Sequence, residues 1–431
     1  MKEQKISLST AILLNMNIMI GSGILIGPGA AAAISGNASF LTWPIVALIF
    51  LPIVLCTIEL SRLFPGAGGF YLYAKQGLGK TAGFAAGWLY ILGYTFAAAV
   101  ETLALRNALI HSLGTNFIFA NSLLFNALLL AATVVFSLLS LKLVSNFLNS
   151  LTLAKMLPLV VLILLLPFIF NPSFTITSTE FALLPASLVL PIFGYMGFEY
   201  CVSISHLIKD SEKNAPRAIL IGFIGTGLLY MLFHFGLLNL MGTKNLIEVG
   251  APAFADYINL PIPYLRTLLK ILIPTAAVLT LYAGLLGMLN ANAILLQSMA
   301  SEGLFKVNSF FRPLTGLGRP WAALIIQAIV VFFFAAFIPN IPVLGGLTIL
   351  GVLLAFFLSF LSLLIVQRRV NARSKLPVTI IGIILVLILS GYMWYTLCPA
   401  MAERMMYTLI LLSGFALGMA LFKKENSKQV A

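Results

Sequence analysis

Long apolar stretches, each about the length of a membrane-crossing helix, alternate with short polar segments along most of the chain. The pattern predicts twelve spans, at residues 8–34, 40–62, 82–108, 121–141, 147–170, 183–206, 217–241, 266–299, 321–338, 342–366, 377–397 and 404–422. A helix needs about 20 apolar residues to cross the hydrocarbon core of a membrane. The apolar runs are continuous, whereas the strands of an outer-membrane barrel alternate apolar and polar residues. The chain is therefore predicted to be an all-α polytopic membrane protein.

The composition agrees with this class, because 61% of the 431 residues are hydrophobic and only 9% are charged. Twelve spans would use roughly 240 residues and leave only short connections, so residues 1–431 are predicted to form a single transmembrane domain. The three cysteines, Cys56, Cys201 and Cys398, are odd in number and lack the spacing of metal ligands. We therefore expect no disulfide framework, no metal and no cofactor.

The net charge of +13 has an explanation other than nucleic acid binding. Twelve spans place both termini on one side of the membrane, and that side then collects 19 of the 25 lysine and arginine residues. Membrane proteins retain basic residues on their cytoplasmic side. We therefore expect a multi-pass protein of the cell (inner) membrane, with both termini cytoplasmic, that contacts lipid and binds no nucleic acid.

Helix-breaking residues interrupt two of the spans near their middle. Span 1 carries Gly-Ser-Gly-Ile at residues 21–24 and Gly-Pro-Gly at residues 27–29. Span 6 carries Gly194 and Gly197 beside the carboxylate of Glu199. A lipid-facing helix does not tolerate so many breakers at mid-depth. The backbone is therefore predicted to unwind at both places.

The two interrupted spans occupy matching positions if the first ten spans form two halves of five. The halves would be residues 8–170 and 183–366, followed by two accessory helices at 377–422. Such a pair of interrupted segments is the sequence pattern of a secondary transporter that is built from inverted repeats and binds its substrate at the bilayer midplane. This repeat is inferred from hydropathy alone.

Two pairs of glycines have the four-residue spacing that often serves close helix packing. For Gly83 and Gly87 in the third span, packing is the favoured interpretation. For Gly23 and Gly27, the additional breakers around them favour an unwound substrate site instead.

Four stretches of the sequence resemble the amino acid–polyamine–organocation (APC) superfamily of amino acid permeases. They are residues 21–24 in the first span, residues 59–73 around the end of the second, residues 193–219 around the sixth, and residues 297–305 at the end of the eighth. The stretch around the sixth span is the most specific of them. The resemblance covers roughly residues 8–330 in collinear order.

The resemblance implies a LeuT-type fold, with two inverted repeats of five spans plus two trailing spans, and transport of amino acids or related amines by alternating access. Helix geometry points the same way. A broken span presents free N–H groups that suit a carboxylate and free carbonyls that suit an ammonium. An amino acid zwitterion fits between them and is the expected small-molecule partner. No oligomeric state is predicted.

The predicted substrate-binding residues lie at the two breaks. They are Met19, Ile20, Gly21, Ser22, Gly23, Ile24, Phe193, Gly194, Met196 and Gly197. The amides of residues 22–24 would hold the α-carboxylate, and the carbonyls of residues 19, 20 and 193 would accept from the α-amino group. In similar permeases an aromatic at the place of Phe193 covers the substrate, although an ordinary core aromatic is an equally good interpretation.

Glu199 is an ionisable residue at mid-depth, where the membrane makes a charge costly. In similar antiporters of the family, the carboxylate at this place is linked to proton-sensitive gating. An equally weighted interpretation is a carboxylate that braces the unwound backbone. Glu59 and Glu101 lie nearer the ends of their predicted spans, where a solvated or capped role is expected.

Lys155 is the only lysine well inside a predicted span. It could extend to the membrane surface. The stretch around it also resembles the fifth span of proton-coupled permeases, where a lysine takes the place that sodium occupies in sodium-coupled relatives. Its ammonium would then hold the carbonyls of the broken span 1 and could release its proton when the site closes. We therefore predict proton-coupled or proton-regulated transport without sodium, with Lys155 and Glu199 as the coupling or gating residues.

Other functions are less favoured than proton-coupled transport. An amino acid/amine exchanger (antiporter) is the main alternative. His206 and Asp210 have a spacing that could belong to a membrane acyltransferase, and on a helix they would share a face. However, they lie inside a stretch that matches a transporter loop. A nutrient sensor usually has cytoplasmic extensions, and the tails here are short. His234 is expected to be a core histidine with its hydrogen bonds satisfied, and no enzymatic activity is expected.

The candidate pocket also restricts the substrate side chain. It holds no acidic pair for a dibasic substrate and no arginine for an acidic one. This composition favours neutral or hydrophobic amino acids.

Overall fold

The computed structural model describes residues 5–66, 68–258, 263–396 and 400–423. Cys398 therefore lies outside the described residues. The described part of the chain contains eighteen α-helices and no β-strand. They are α1 (Leu8–Met19), α2 (Ser22–Ser35), α3 (Thr42–Leu63), α4 (Gly69–Leu78), α5 (Lys80–Leu113), α6 (Phe117–Ala120), α7 (Ser122–Ser137), α8 (Leu141–Ile169), α9 (Ser178–Ala182), α10 (Val189–Tyr195), α11 (Tyr200–Ser203), α12 (Ser211–Val249), α13 (Pro263–Ser301), α14 (Asn308–Phe311), α15 (Trp321–Phe337), α16 (Ile341–Arg369), α17 (Leu376–Thr396) and α18 (Met401–Leu421).

Eight helical stretches in the described residues are long and apolar enough to cross a membrane. They are Ser22–Leu63, Lys80–Ile110, Leu141–Ile169, Ser211–Val249, Thr267–Ser301, Ile341–Arg369, Arg373–Thr396 and Met401–Leu421. Three shorter apolar helices, α1, α7 and α15, accompany them. The protein is thus an all-helical, multi-pass membrane protein, and its division into twelve spans and two five-span repeats stays a prediction.

Several helices begin at side chains that cap them, which explains why short polar connections suffice. Asn121, Ser140 and Asn340 each accept a hydrogen bond from the first turn of α7, α8 and α16, respectively. At α9, Thr177 and Glu180 form a reciprocal capping box. Glu180 also accepts from the backbone N–H of Asn37, so this cap ties the segment before α10 to the segment after α2.

The long helix α5 lies at the centre of the fold and packs against α4, α13 and α16. Helices α1 and α2 are surrounded by α8, α10, α12 and α13. Helices α17 and α18 contact fewer neighbours and lie at the periphery. This arrangement puts the broken first span in the interior, where its unpaired backbone groups can find protein partners rather than lipid.

We call the side on which α1 begins the terminus side. There the backbone of Ile6 pairs with Leu207 and Lys209, and Lys306 pairs with Leu421. On the same side, Lys75 of α4 forms an ion pair with Glu302, which follows α13. Lys75 Nζ lies 2.7 Å from Glu302 Oε2.

Gly83 and Gly87 lie in tight contacts. A Cβ at Gly83 would lie 2.8 Å from the carbonyl of Tyr71, and one at Gly87 would lie 2.9 Å from the Cβ of Tyr71. The predicted packing role of this pair is confirmed, because it lets α4 lie against α5. Cys56 and Cys201 are buried free thiols, as expected for core residues.

Candidate functional site

The first span is broken where the glycine-rich run predicted it. Helix α1 ends at Met19, the backbone leaves the helical region at Ile20 (ψ 81°) and Gly21 (φ −126°, ψ −145°), and α2 begins at Ser22. The break therefore exposes carbonyls at the end of α1 and N–H groups at the start of α2, at the centre of the protein.

Lys155 of α8 reaches the α1 side of this break. Its side chain is fully buried, and its Nζ donates to the carbonyl oxygens of Asn17 at 2.6 Å and Ile20 at 2.5 Å. The side chain therefore does not extend to the membrane surface. The ammonium holds free carbonyls of the broken span, which otherwise have no partner inside the helix.

A second layer of polar contacts fixes Asn17 in place. Thr152, one turn before Lys155 on α8, donates to Asn17 Oδ1 at 3.1 Å. Asn17 Nδ2 in turn donates to the carbonyl of Ala283 on α13 at 3.2 Å. The residue whose carbonyl Lys155 contacts is thus positioned by α8 itself and by one further helix, α13.

Glu101 of α5 occupies the other side of the break. Its Oε1 accepts from the backbone N–H of Ser22 at 3.0 Å and from the Ser22 hydroxyl at 2.9 Å. Glu101 is 1% exposed, and its Oε2 has no hydrogen-bond partner among the described residues. The expectation of a role near a span end was wrong, because α5 continues to Leu113 and Glu101 lies in its interior.

The carbonyls predicted to take an ammonium group already have internal partners. Tyr230 of α12 donates its hydroxyl to Met19 O at 2.5 Å, Lys155 donates to Ile20 O, and the N–H of Met196 donates to Phe193 O at 3.0 Å. The predicted backbone groups therefore do lie together, but in this closed arrangement side chains and backbone of the protein occupy them.

The sixth span is also broken. Helix α10 ends at Tyr195, Met196 is extended, and Gly197 has φ +104°, which favours glycine. Glu199 is fully buried, accepts from the N–H of Gly197 at 3.2 Å and accepts from the hydroxyl of Tyr94 at 2.6 Å. Its carboxylate braces the unwound backbone.

Asn15 of α1 forms two hydrogen bonds with the broken backbone of the sixth span. Its Nδ2 donates to Phe198 O at 2.7 Å, and its Oδ1 accepts from the N–H of Cys201 at 2.9 Å. One neutral amide thus satisfies a carbonyl and an amide of the other broken span, and it links the two breaks.

The two breaks touch at their glycines. A Cβ on Gly23 would lie 2.7 Å from the Cα of Gly194, so the two backbones meet without side chains between them. Beside this contact lies a small cavity of about 10 Å³, roughly the space for one water molecule. Its lining residues are Ile18, Met19, Gly21, Gly23, Tyr94, Ala97, Glu101, Phe193, Met196, Met288 and Thr348.

Two histidine predictions have different outcomes. His234 is fully buried and hydrogen-bonded, as expected, because Trp43 donates to its Nδ1 at 3.0 Å and Ser39 Oγ lies 3.1 Å from its Nε2. His206 and Asp210 do not share a helix face. The 3₁₀ turn that holds His206 ends at Leu207, and Asp210 has φ +49°.

Sequence reasoning missed four side chains that contact the breaks, namely Asn15, Glu101, Tyr94 and Tyr230. Glu101 carried a usable signal, because a carboxylate inside a long apolar segment is costly unless it has partners. The two tyrosines carried none, since tyrosine is common in apolar cores.

Comparison with known proteins finds matches over most of the chain. A model of the amino acid permease family matches residues 6–415. The serine/threonine exchanger SteT of Bacillus subtilis is 23% identical over 398 residues, which are 86% of this chain and 85% of the exchanger. The putrescine transporter PotE of Escherichia coli K12 is 22% identical over 432 residues, 94% of this chain and 93% of PotE. An L-asparagine permease of Salmonella typhimurium is 25% identical over 346 residues, 74% of this chain and 66% of the permease.

Proposed function

Because this chain belongs to the amino acid permease family of the APC superfamily and is a membrane transporter of amino acids or amines, we propose that it moves neutral amino acids across the cell membrane, coupled to protons and independent of sodium. The proposal includes alternating access on a LeuT-type fold with both termini cytoplasmic. Serine, threonine and asparagine in the names of two relatives support a neutral substrate.

The contact of Lys155 with the carbonyls of Asn17 and Ile20 carries the proposal. In transporters with broken helices, carbonyls at a half-helix end coordinate the driving Na⁺ or H⁺. Here an ammonium group at 2.5–2.6 Å takes those carbonyls. A cation that belongs to the protein removes the need for a metal cation at this place.

The proton on Lys155 supplies a coupling step. The charged amine lies in a fully buried site, where a charge is costly. When the site opens to one side, Lys155 Nζ can release one proton to water on that side, and the neutral amine then holds the two carbonyls less strongly. When Nζ is protonated again on the other side, it binds both carbonyls strongly once more. The contacts that hold the break of span 1 therefore weaken and strengthen once per proton.

Glu101 links the proton to the substrate. The start of α2 is where a substrate carboxylate would bind, and Glu101 already accepts the N–H and hydroxyl of Ser22. Two carboxylates cannot share these donors without strong repulsion. A substrate carboxylate therefore binds more readily when Glu101 has taken up a proton or moved away.

The residues that line the small cavity support a neutral side chain. Phe193, Met196, Met288 and Ile18 give it apolar walls, and the charged residue in its lining, Glu101, already accepts from Ser22. Opening of the Gly23–Gly194 contact would enlarge this space for the side chain of the substrate.

Uptake into proteoliposomes tests the proposal. An acidic exterior is expected to raise the uptake of labelled neutral amino acids several-fold, and a sodium gradient is expected to have no effect. Sodium-driven uptake would overturn the coupling. Uptake that requires an amino acid inside the vesicle and ignores the pH gradient would instead establish an exchanger.

A further inference from the structure

A cavity of about 300 Å³ lies on the side opposite the termini, between α2, α5, α13 and the 3₁₀ helix Ala251–Tyr257. We infer that it is a second binding site, which takes the zwitterion of a neutral amino acid before the midplane site opens. The inference rests on the proposed function for its direction of transport. It concerns different residues, because the two cavities share no lining residue.

Along α2 and α5, the lining of this cavity follows the residues that line the midplane site. Leu25 of α2 is two residues beyond Gly23, and Ala104 of α5 is about one helical turn beyond Glu101. A molecule that enters from this side therefore reaches the large cavity first. The midplane cavity holds about one water molecule, so of these two cavities only the outer one has room for an amino acid.

Two opposite charges stand at the outer cavity. Lys270 Nζ of α13 lies 2.8 Å from Asp256 Oδ1, with the side chains 41% and 63% exposed. Both line the cavity. An exposed ion pair is worth only about 0–1 kcal/mol, so a ligand can separate the two groups at little cost. The α-carboxylate would then face Lys270 and the α-ammonium would face Asp256.

The remaining walls favour a neutral, apolar side chain. Leu25, Pro274, Ala277 and Leu281 line the inward part of the cavity. A side chain with its own charge would lie against these residues without a counter-ion, which is unfavourable. A zwitterion with an aliphatic side chain matches both parts of the cavity, whereas an amine without a carboxylate would leave Lys270 unpaired.

Binding stoichiometry tests the inference. Full-length protein in lipid nanodiscs is equilibrated with labelled L-leucine, and bound ligand per chain is counted. We expect two molecules per wild-type chain and one in Lys270→Gln and Asp256→Asn. Ala108→Trp, which fills the cavity without altering the charges, is also expected to bind one. The matched control is Lys375→Gln, which removes the 2.6 Å ion pair with Glu59 on the terminus side and should still bind two.

The outer site would be overturned if the wild-type protein bound one molecule of L-leucine per chain, or if all three cavity variants still bound two. Kinetics give an independent readout. Lys270→Gln is expected to raise KM for external amino acid about two- to fivefold, whereas KM from the terminus side should not move. An equal shift on both sides would also overturn the inference. Neither result affects the proton-coupling test, which uses the maximal rate under a pH gradient.

Discussion

Both broken spans leave backbone N–H and C=O groups without partners inside a helix, and different side chains satisfy these groups in the two spans. The break in span 1 is held by two ionisable side chains from other helices, Lys155 on its carbonyl side and Glu101 on its amide side. The break in span 6 is held by its own Glu199 and by the neutral amide of Asn15. Under the proposed coupling, this difference assigns proton movement mainly to span 1, whereas Glu199 braces span 6 together with Asn15 of α1 and Tyr94 of α5.

Substitution at the contact between Gly23 and Gly194 is expected to have the largest effect on uptake. Gly23→Leu is expected to reduce uptake at least about 100-fold, because the side chain would collide with the backbone of Gly194. Labelled uptake in proteoliposomes measures the effect, and size-exclusion chromatography in detergent checks that the variant is folded. The control Gly391→Leu alters a glycine with open space around it. Normal flux in Gly23→Leu would remove the substrate site from span 1.

Loss of the ammonium should abolish coupling while sparing substrate binding. In Lys155→Ala, uptake with a pH gradient is expected to equal uptake without one, since no side chain then carries the proton to the span 1 carbonyls. Affinity measured by equilibrium binding should change little. Lys142→Ala, on the same helix, is the matched control. A pH response that survives in Lys155→Ala would contradict the assignment of coupling to span 1.

Substitution of the two buried carboxylates compares the breaks directly. Glu101→Gln keeps the shape but removes the negative charge beside Ser22, so amino acids should bind about fivefold more tightly at neutral pH and with little pH dependence. Glu199→Gln should leave the pH dependence of binding in place. Binding isotherms across a pH series measure both. The opposite pattern would transfer the proton-sensitive role to span 6.

The aromatic on span 6 should contribute to affinity without contributing to coupling. Phe193→Ala is expected to weaken binding about tenfold, since the ring lines the midplane cavity. The ratio of uptake with and without a pH gradient should not change. Phe96→Ala is the control, because Phe96 is buried against Phe334 and its loss should lower stability alone. An unchanged affinity in Phe193→Ala would make Phe193 an ordinary core residue.

The smallest effect is expected from the ion pair on the terminus side. The hydrogen bond from Lys75 holds the pKa of Glu302 below its usual value of 4.5. Stability from this pair is therefore complete above pH 4.5 and is lost only as the pH falls through the lowered pKa. Glu302→Gln should leave the shape of the uptake profile unchanged between about pH 5 and 8. A shifted profile would locate a pH-sensitive element outside both breaks.

The positions of both breaks could be predicted because their causes are local. Glycine at 21 and 197 lets the backbone leave the helical region at low cost, and the apolar runs on either side define the spans. Lys155 could be singled out for a similar reason, since a lysine inside an apolar run is conspicuous in any membrane protein. The family resemblance ended near residue 330, whereas the family match continues to residue 415.

Only the tertiary structure decided which side chains complete the breaks. Glu101 and Ser22 are 79 residues apart, and α5 is apolar around most of its circumference, so no periodicity indicates which of its faces meets α2. The same holds for Asn15 and the sixth span, which are 183 residues apart. The sequence determined where the backbone must unwind, because that depends on neighbouring residues. Packing of distant helices determined which charges stabilise each break, because hydrogen bonds across helices depend on rotation and depth that a linear pattern does not contain.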